Sequence, residues 1–413
     1  MEARLKTLTL AALLAVPLLA HATDGYFQHG YGVKSQGAGG VGIAYSQDGL
    51  AGATNPAGAA FLEDRIDAGI TWFSPQRETT ITAPNPTAGQ YNGNGKSNFY
   101  LPELGLIKRL SPDLALGLAI YGNGGMNTQY DKGLPLFGRG QAGVNLEQLF
   151  ITPSISYKLN EQHSLGLALN YAYQRFSADG LQNFDNANFS TSPGNVTNKG
   201  SDSSSGWGVR LGWQGDVLPN LRLGLTWASK IHAGKFEKYK GLFADSGSFD
   251  IPASYGAGLA FKASDSLTLA ADVERILYGD VASINNPLSN IGNGLGAAGG
   301  AGFGWQNVTV YKLGVIYQAT PELTLRAGYN HSSQPIPASQ TLFNILAPGV
   351  IQNHLSLGAT YQTSGNGELS VAYTHGFRQK VSGSSSIPAS FGGGEANIQL
   401  QENILGIAYG WKF

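Results

Sequence analysis

The sequence has no cysteine, which excludes disulfides, thiol nucleophiles and thiolate metal sites together. It is also poor in charge: Asp, Glu, Lys and Arg make up 13 % of its 413 residues, where about a quarter is usual. The charge it has is balanced, 26 basic against 27 acidic side chains, so nothing marks it as a nucleic-acid partner. Proline is scarce at 18 residues and the glycines follow no period of three, which rules out a collagen-like chain. After residue 22 no apolar run is long enough for a membrane helix. Charge-rich disorder is excluded as well, because 42 % of the residues are apolar and 10 % aromatic. What is abundant is glycine, 58 residues, about twice the usual share.

The first 22 residues read as an export signal, with Arg4 and Lys6, an apolar stretch from Leu8 to Ala20, and Ala20-His21-Ala22 as a small-x-small cleavage site. The mature chain is expected to start at Thr23. It carries a repeated period-2 pattern. Leu165, Leu167, Leu169, Tyr171 and Tyr173 alternate with Gly166, Ala168, Asn170, Ala172 and Gln174. Leu114 to Tyr121, Leu221 to Ala228, Tyr311 to Gln318 and His354 to Tyr361 repeat the pattern. Strict alternation makes a strand with one apolar and one polar face. Runs of about nine to twelve residues match a tilted strand crossing a bilayer rather than the shorter strand of a soluble sandwich.

Aromatic residues such as Tyr171, Tyr173, Trp227, Tyr317, Tyr329, Tyr361 and Tyr373 close the apolar rows, as in the interfacial girdles of a barrel. Short turns at 111–112, 160–162, 215–220, 263–265, 320–321 and 365–367 alternate with longer polar stretches near 76–97, 123–145, 179–204, 240–247, 281–304, 332–351 and 379–395. The fold class is therefore an all-β, transmembrane antiparallel barrel of about fourteen strands, spanning residues 63–413, in the outer membrane of a Gram-negative bacterium. Low charge follows from it, since a lipid-facing row excludes charged side chains. The final alternation, Leu405, Ile407, Tyr409, Trp411 and Phe413, is both a lipid-facing row and a candidate signal for the barrel assembly machinery.

Residues 23–62 break the pattern. They include Gly37-Ala38-Gly39-Gly40-Val41-Gly42, a literal G-x-G-x-x-G, but with no strand before it and no βαβ unit around it. The segment reads instead as a compact plug inside the barrel, where glycines permit close packing. Together with Thr54-Asn55-Pro56-Ala57-Gly58, the run through Tyr45 resembles the amino-terminal hatch of the FadL/TodX-type outer-membrane transporters for long-chain fatty acids and other hydrophobic compounds. Further similarities are Tyr121 to Tyr130, Ile251-Pro252-Ala253-Ser254, and Leu325 to Tyr329 followed by Gln334-Pro335-Ile336-Pro337.

That resemblance implies a fourteen-stranded barrel plugged by the hatch, passive uptake, and a ligand that leaves sideways at a kinked third strand. It places the hatch motif on Asn55, Pro56, Ala57 and Gly58, and the kink on Gly124 and Gly125. Alternation turns Arg210, Arg222, Lys262, Lys312, Arg326, Asp272 and Glu274 inward. Of these, Arg210, Arg222 and Arg326 are candidate contacts for a fatty-acid carboxylate, or else bond the hatch. The apolar stretch 332–351, with Leu342, Phe343 and Leu346, is a candidate ligand-capture loop.

The expected partners are a hydrophobic small molecule, outer-membrane lipid and lipopolysaccharide, and the barrel assembly machinery; the protein is expected to be a monomer without nucleic acid, cofactor or metal. The rivals are a general diffusion porin and an outer-membrane lipid hydrolase. Against the hydrolase, none of the seven histidines lies in H-E-x-x-H and no serine lies in G-x-S-x-G.

Overall fold

A strand with one apolar face can sit in lipid only if every backbone group is paired, and a closed barrel does this. The computed structural model describes residues 24–413; the expected export signal, residues 1–22, lies outside them. Fourteen long strands follow one another: β1 (Arg65–Ile81), β2 (Phe99–Arg109), β3 (Leu114–Tyr130), β4 (Ala142–Lys158), β5 (His163–Asp179), β6 (Asp202–Leu218) and β7 (Leu221–Ala228). The second half comprises β8 (Ser254–Lys262), β9 (Leu267–Ile276), β10 (Val308–Gln318), β11 (Leu323–Ser332), β12 (Asn353–Gln362), β13 (Gly367–Val381) and β14 (Ala396–Lys412). Each strand pairs antiparallel with its neighbours in sequence, and β14 closes on β1 from Arg65 opposite Lys412 to Ile81 opposite Ala396. Two short pieces, Gly89–Asn92 and His232–Ala233, extend β1 and β6.

The outward rows are those the alternation predicts, and the apolar residues on them are exposed because their solvent is lipid. Leu167 is 46 % exposed, whereas Ala168 beside it is buried. Leu167→Arg is expected to cost about 2–4 kcal/mol, the penalty for a cation near the bilayer midplane, measurable by urea unfolding in detergent or lipid.

All six short connections are present, but the one expected at 215–220 shrinks to Pro219-Asn220, because β6 runs on to Leu218. The extracellular ends of the strands are longer than the sequence pattern indicated: β1 runs to Ile81, β3 to Tyr130, and β4 begins at Ala142. Near those ends polar side chains such as Arg77 and Asn127 line a cavity rather than lipid, so the segments lose the apolar row. Conversely, the stretch 240–247 is only part of the connection between β7 and β8.

Residues 24–62 lie inside the barrel. They contain two short helices, α1 (Val33–Gly37) and α2 (Ala51–Thr54), and a 3-10 turn, Pro56–Phe61. Much of the glycine abundance serves this fit. A Cβ on Gly166, Gly212, Gly224, Gly314, Gly328 or Gly358 of the wall would run into the hatch at residues 56–57, 55, 43–44, 38, 38–39 and 37 respectively. The G-x-G-x-x-G run is part of this contact: Gly39, at φ +73°, lies against the backbone of Leu313 and Tyr329.

Candidate functional site

The motif Asn55-Pro56-Ala57-Gly58 fixes the hatch to the wall. The Asn55 side chain is fully buried and donates to Ile43 O (2.7 Å), Trp213 O (3.0 Å) and Leu225 O (3.2 Å), while its Oδ1 accepts from Ala57 N (3.1 Å). Pro56 opens the 3-10 turn, and Ala57 O accepts from Ser164 Oγ at 2.8 Å. Gly58 packs on Ser46, where a Cβ would overlap its hydroxyl. Asn55→Leu removes all four hydrogen bonds, although Ile43 O keeps the one from Gln214 Nε2 (2.9 Å), with an expected loss of about 2–4 kcal/mol at roughly 1 kcal/mol per bond; thermal unfolding measures it.

The three arginines proposed to hold a carboxylate all serve the hatch end of the lumen. Arg210 donates to Thr54 O at 3.1 Å. Arg326 donates to Gln47 Oε1 (2.8 Å) and Thr360 Oγ1 (2.7 Å). Arg222 makes a two-pronged ion pair with Asp216 (2.7 and 2.8 Å), and its guanidinium lies over the Phe61 ring at 4.2 Å. The hatch is further tied at its base by a buried network in which Lys34 and Arg65 both contact Glu368, Arg65 pairs with Asp67, and Asp67 accepts from Gly49 N at 2.7 Å.

Gly124 and Gly125 lie within β3, at an irregularity. The register with β4 shifts between Gly122 and Gly124, leaving Asn123 bulged. The hatch holds this bulge: Gln28 N donates to Asn123 O (3.1 Å), Gly125 N donates to Tyr26 O (3.0 Å), and Tyr31 OH donates to Asn123 Oδ1 (2.8 Å). A Cβ on Gly124 would overlap Tyr26 O, so the close approach requires glycine. On the other side of β3, the ladder to β2 ends at Leu104 opposite Ile120.

Above that pair the wall has a window, bounded by residues 99–103 of β2 and 121–128 of β3. Its upper edge is closed by Gly95 N donating to Gln129 O (2.9 Å) and by Arg77 of β1, which reaches Asn127 O (2.6 Å), Asn127 Oδ1 (2.9 Å) and Lys96 O.

Behind the window lies a cavity of about 700 Å³. Its inner lining includes Tyr26, Phe27, Met126, Trp305 and Ile404, and its outer lining includes Tyr100, Leu149 and Tyr173. Leu149 and Tyr173 belong to the exposed, lipid-facing row. One space thus runs from the lumen through the window to the membrane side. His29 also lines it; burial holds the His29 imidazole well below its usual range, so the ring is neutral.

Leu342, Phe343 and Leu346, expected in an exposed loop, are buried. Apolar side chains on a loop over an aqueous mouth pack together rather than face water. Phe343 meets Phe184 edge to face (5.4 Å between ring centroids) and lies near Phe137 (6.4 Å), and Phe343 and Leu346 line a second cavity of about 50 Å³ under the loops. Rings continue inward from there. Phe176 and Phe243 are 4.6 Å apart, Phe243 and Phe249 are 5.0 Å apart, and Phe249 and Tyr26 are 6.2 Å apart, ending at the inner cavity. Sequence reasoning missed Arg77, Asn123, Trp305 and Tyr26 as site residues; Arg77 and Asn123 stood in stretches that read as loop.

A lipid-facing barrel, a stoppered lumen and an apolar cavity that opens through the wall define a plugged outer-membrane channel for hydrophobic small molecules. The sequence profile of the outer membrane protein transport family (OMPP1/FadL/TodX) matches residues 20–413, and the chain belongs to that family, one of transport proteins rather than enzymes. Among solved structures it is similar to the P. putida toluene transporter TodX, with a TM-score of 0.70 at 18 % identity over 93 % of this chain and 99 % of that one. A Pseudomonas aeruginosa FadL homologue gives 0.73 at 17 % identity, over 94 % and 100 % of the two chains. The Ralstonia pickettii toluene transporter TbuX gives 0.68 at 17 %, over 93 % and 99 %. No curated protein matches significantly.

Proposed function

We propose that the protein takes up hydrophobic small molecules passively: they enter among the aromatic loops, occupy the inner cavity, and leave sideways through the window between β2 and β3. The observation that carries this is the single cavity lined both by Trp305 in the interior and by the lipid-facing Leu149 and Tyr173. Apolar ligand surface kept out of water is favourable by roughly 25 cal/mol per Å². A route from cavity to bilayer keeps that surface covered, whereas an aqueous pore does not. Residues 23–62 act as the hatch, 63–413 as the barrel, and 1–22 as a cleaved export signal. The wall meets outer-membrane lipid and lipopolysaccharide as a monomer. The outward row Tyr409, Trp411 and Phe413 of the closing strand faces the assembly machinery.

The test pairs planar-bilayer conductance with uptake of a hydrophobic compound into proteoliposomes. The expected result is uptake with little ionic current. A steady open-pore current that hydrophobic compounds do not affect would overturn the proposal in favour of a diffusion porin.

A further inference from the structure

Among the polar side chains on the inner lining of the cavity, Gln28, Thr71 and Gln148 are hydrogen-bonded to protein groups, and one corner is less well satisfied. Glu402 of β14, directly opposite Pro75 of β1, lines the cavity and is 3 % exposed. Among the described residues its one ion-pair contact is His354 Nε2, at 3.5 Å, the outer limit of a hydrogen bond. The His354 Nδ1 has no partner although the residue is fully buried, and the neutral His29 ring lies 4.8 Å from the His354 ring. Arg77 is the nearest inward cation along β1, two residues from Pro75, and also lines the cavity; its two terminal nitrogens bond Asn127 and Lys96, while its Nε is buried without a partner. The other charged lining residues, Lys96, Glu147 and Arg175, stand exposed at the mouth.

A buried carboxyl group with so little hydrogen bonding is costly, and such groups persist where something else completes them. Three kinds of apolar ligand differ in what they do here. A hydrocarbon leaves the corner as it stands. A carboxylate adds a second acceptor that cannot donate to Glu402, and the one uncommitted cationic donor on that side is the single Nε–H of Arg77. A hydroxyl can donate a hydrogen bond to Glu402. Accepting the cavity as the place where the transported molecule binds, we propose that Glu402 selects for a hydroxyl group, so that alcohols and phenols are preferred over hydrocarbons and carboxylates of the same shape.

The test is calorimetric titration of the full chain, folded in detergent, with 4-ethylphenol, ethylbenzene and 4-ethylbenzoate. The phenol is expected to bind at least about tenfold more tightly than either of the others, the increment of a hydrogen bond to a charged or buried polar group. Glu402→Leu, which removes the acceptor at similar volume, is expected to bring the phenol-to-ethylbenzene ratio near one, and Glu402→Gln, which keeps an acceptor, to restore part of it. Heat-modifiable gel migration reports whether each variant is a folded barrel; if the Leu variant is not, the Gln variant alone must lower the ratio. A ratio at or below one in the wild type, tighter binding of the benzoate, or an unchanged ratio in both variants overturns the proposal. Failure of all three compounds to bind overturns the reading of the cavity itself, whereas ethylbenzene binding without a phenol preference overturns only the selectivity.

Discussion

Oxidation of a Leu101→Cys, Gly122→Cys double variant is expected to lower uptake of a hydrophobic compound at least tenfold, and reduction to restore it. The two positions face each other across the window, where a Cβ at Gly122 would lie 3.8 Å from the Cβ of Leu101. That separation is the usual Cβ distance in a disulfide. With no native cysteine in the chain, no other bridge can form within it. Because the bond joins β2 to β3 where their ladder has stopped, it fixes the window edges while leaving hatch, cavity and loops intact. Unchanged uptake with the bond formed would show that ligand does not leave between these strands. The reduced double variant, measured in the same preparation, controls for loss of the Leu101 side chain.

Glu368→Ala is expected to destabilise the protein by about 3–5 kcal/mol, the usual consequence of removing one partner from a buried ion pair. It leaves Lys34 of the hatch without its carboxylate and Arg65 of the wall with Asp67 alone. The hatch should loosen at its base, so bilayer conductance should rise together with the fall in stability. Replacing both ends of the hatch contact, Lys34→Met with Glu368→Leu, should recover much of the stability, because Lys34 is then not left buried without its carboxylate. If Glu368→Ala keeps both the unfolding midpoint and the low conductance of the wild type, the network does not hold the hatch.

The barrel was legible because lipid writes itself on a strand every second residue. Wherever both faces of the wall met constant surroundings, as along Leu165 to Tyr173, the pattern marked the strand correctly. It failed where surroundings changed with height: Arg77 and Asn127 lie on strands but face the space around the window, so their segments read as loop. The three arginines illustrate a different limit. Period 2 turned Arg210, Arg222 and Arg326 inward, but a direction says nothing about what fills the lumen, and there the hatch offers carbonyls, an amide and an aromatic ring. Leu342, Phe343 and Leu346 were visible as an apolar anomaly, yet only the other loops reveal that aromatic partners from distant sequence cover them. The window itself is a missing ladder between β2 and β3, and no residue announces a bond that is not made.

The closing seam between β1 and β14 shuts the hatch inside the cylinder. The hatch is joined directly to β1 through Leu62, Glu63 and Asp64, and the strand that must pair with β1 is the last in the barrel. With this seam unpaired the cylinder would be an open sheet whose inner face the hatch could reach from the side. Once Arg65 to Ile81 have zipped to their partners, the hatch motif anchored by Asn55 has no sideways way out. A hatch out of its seat in the closed barrel could regain it only through the mouth of the cylinder.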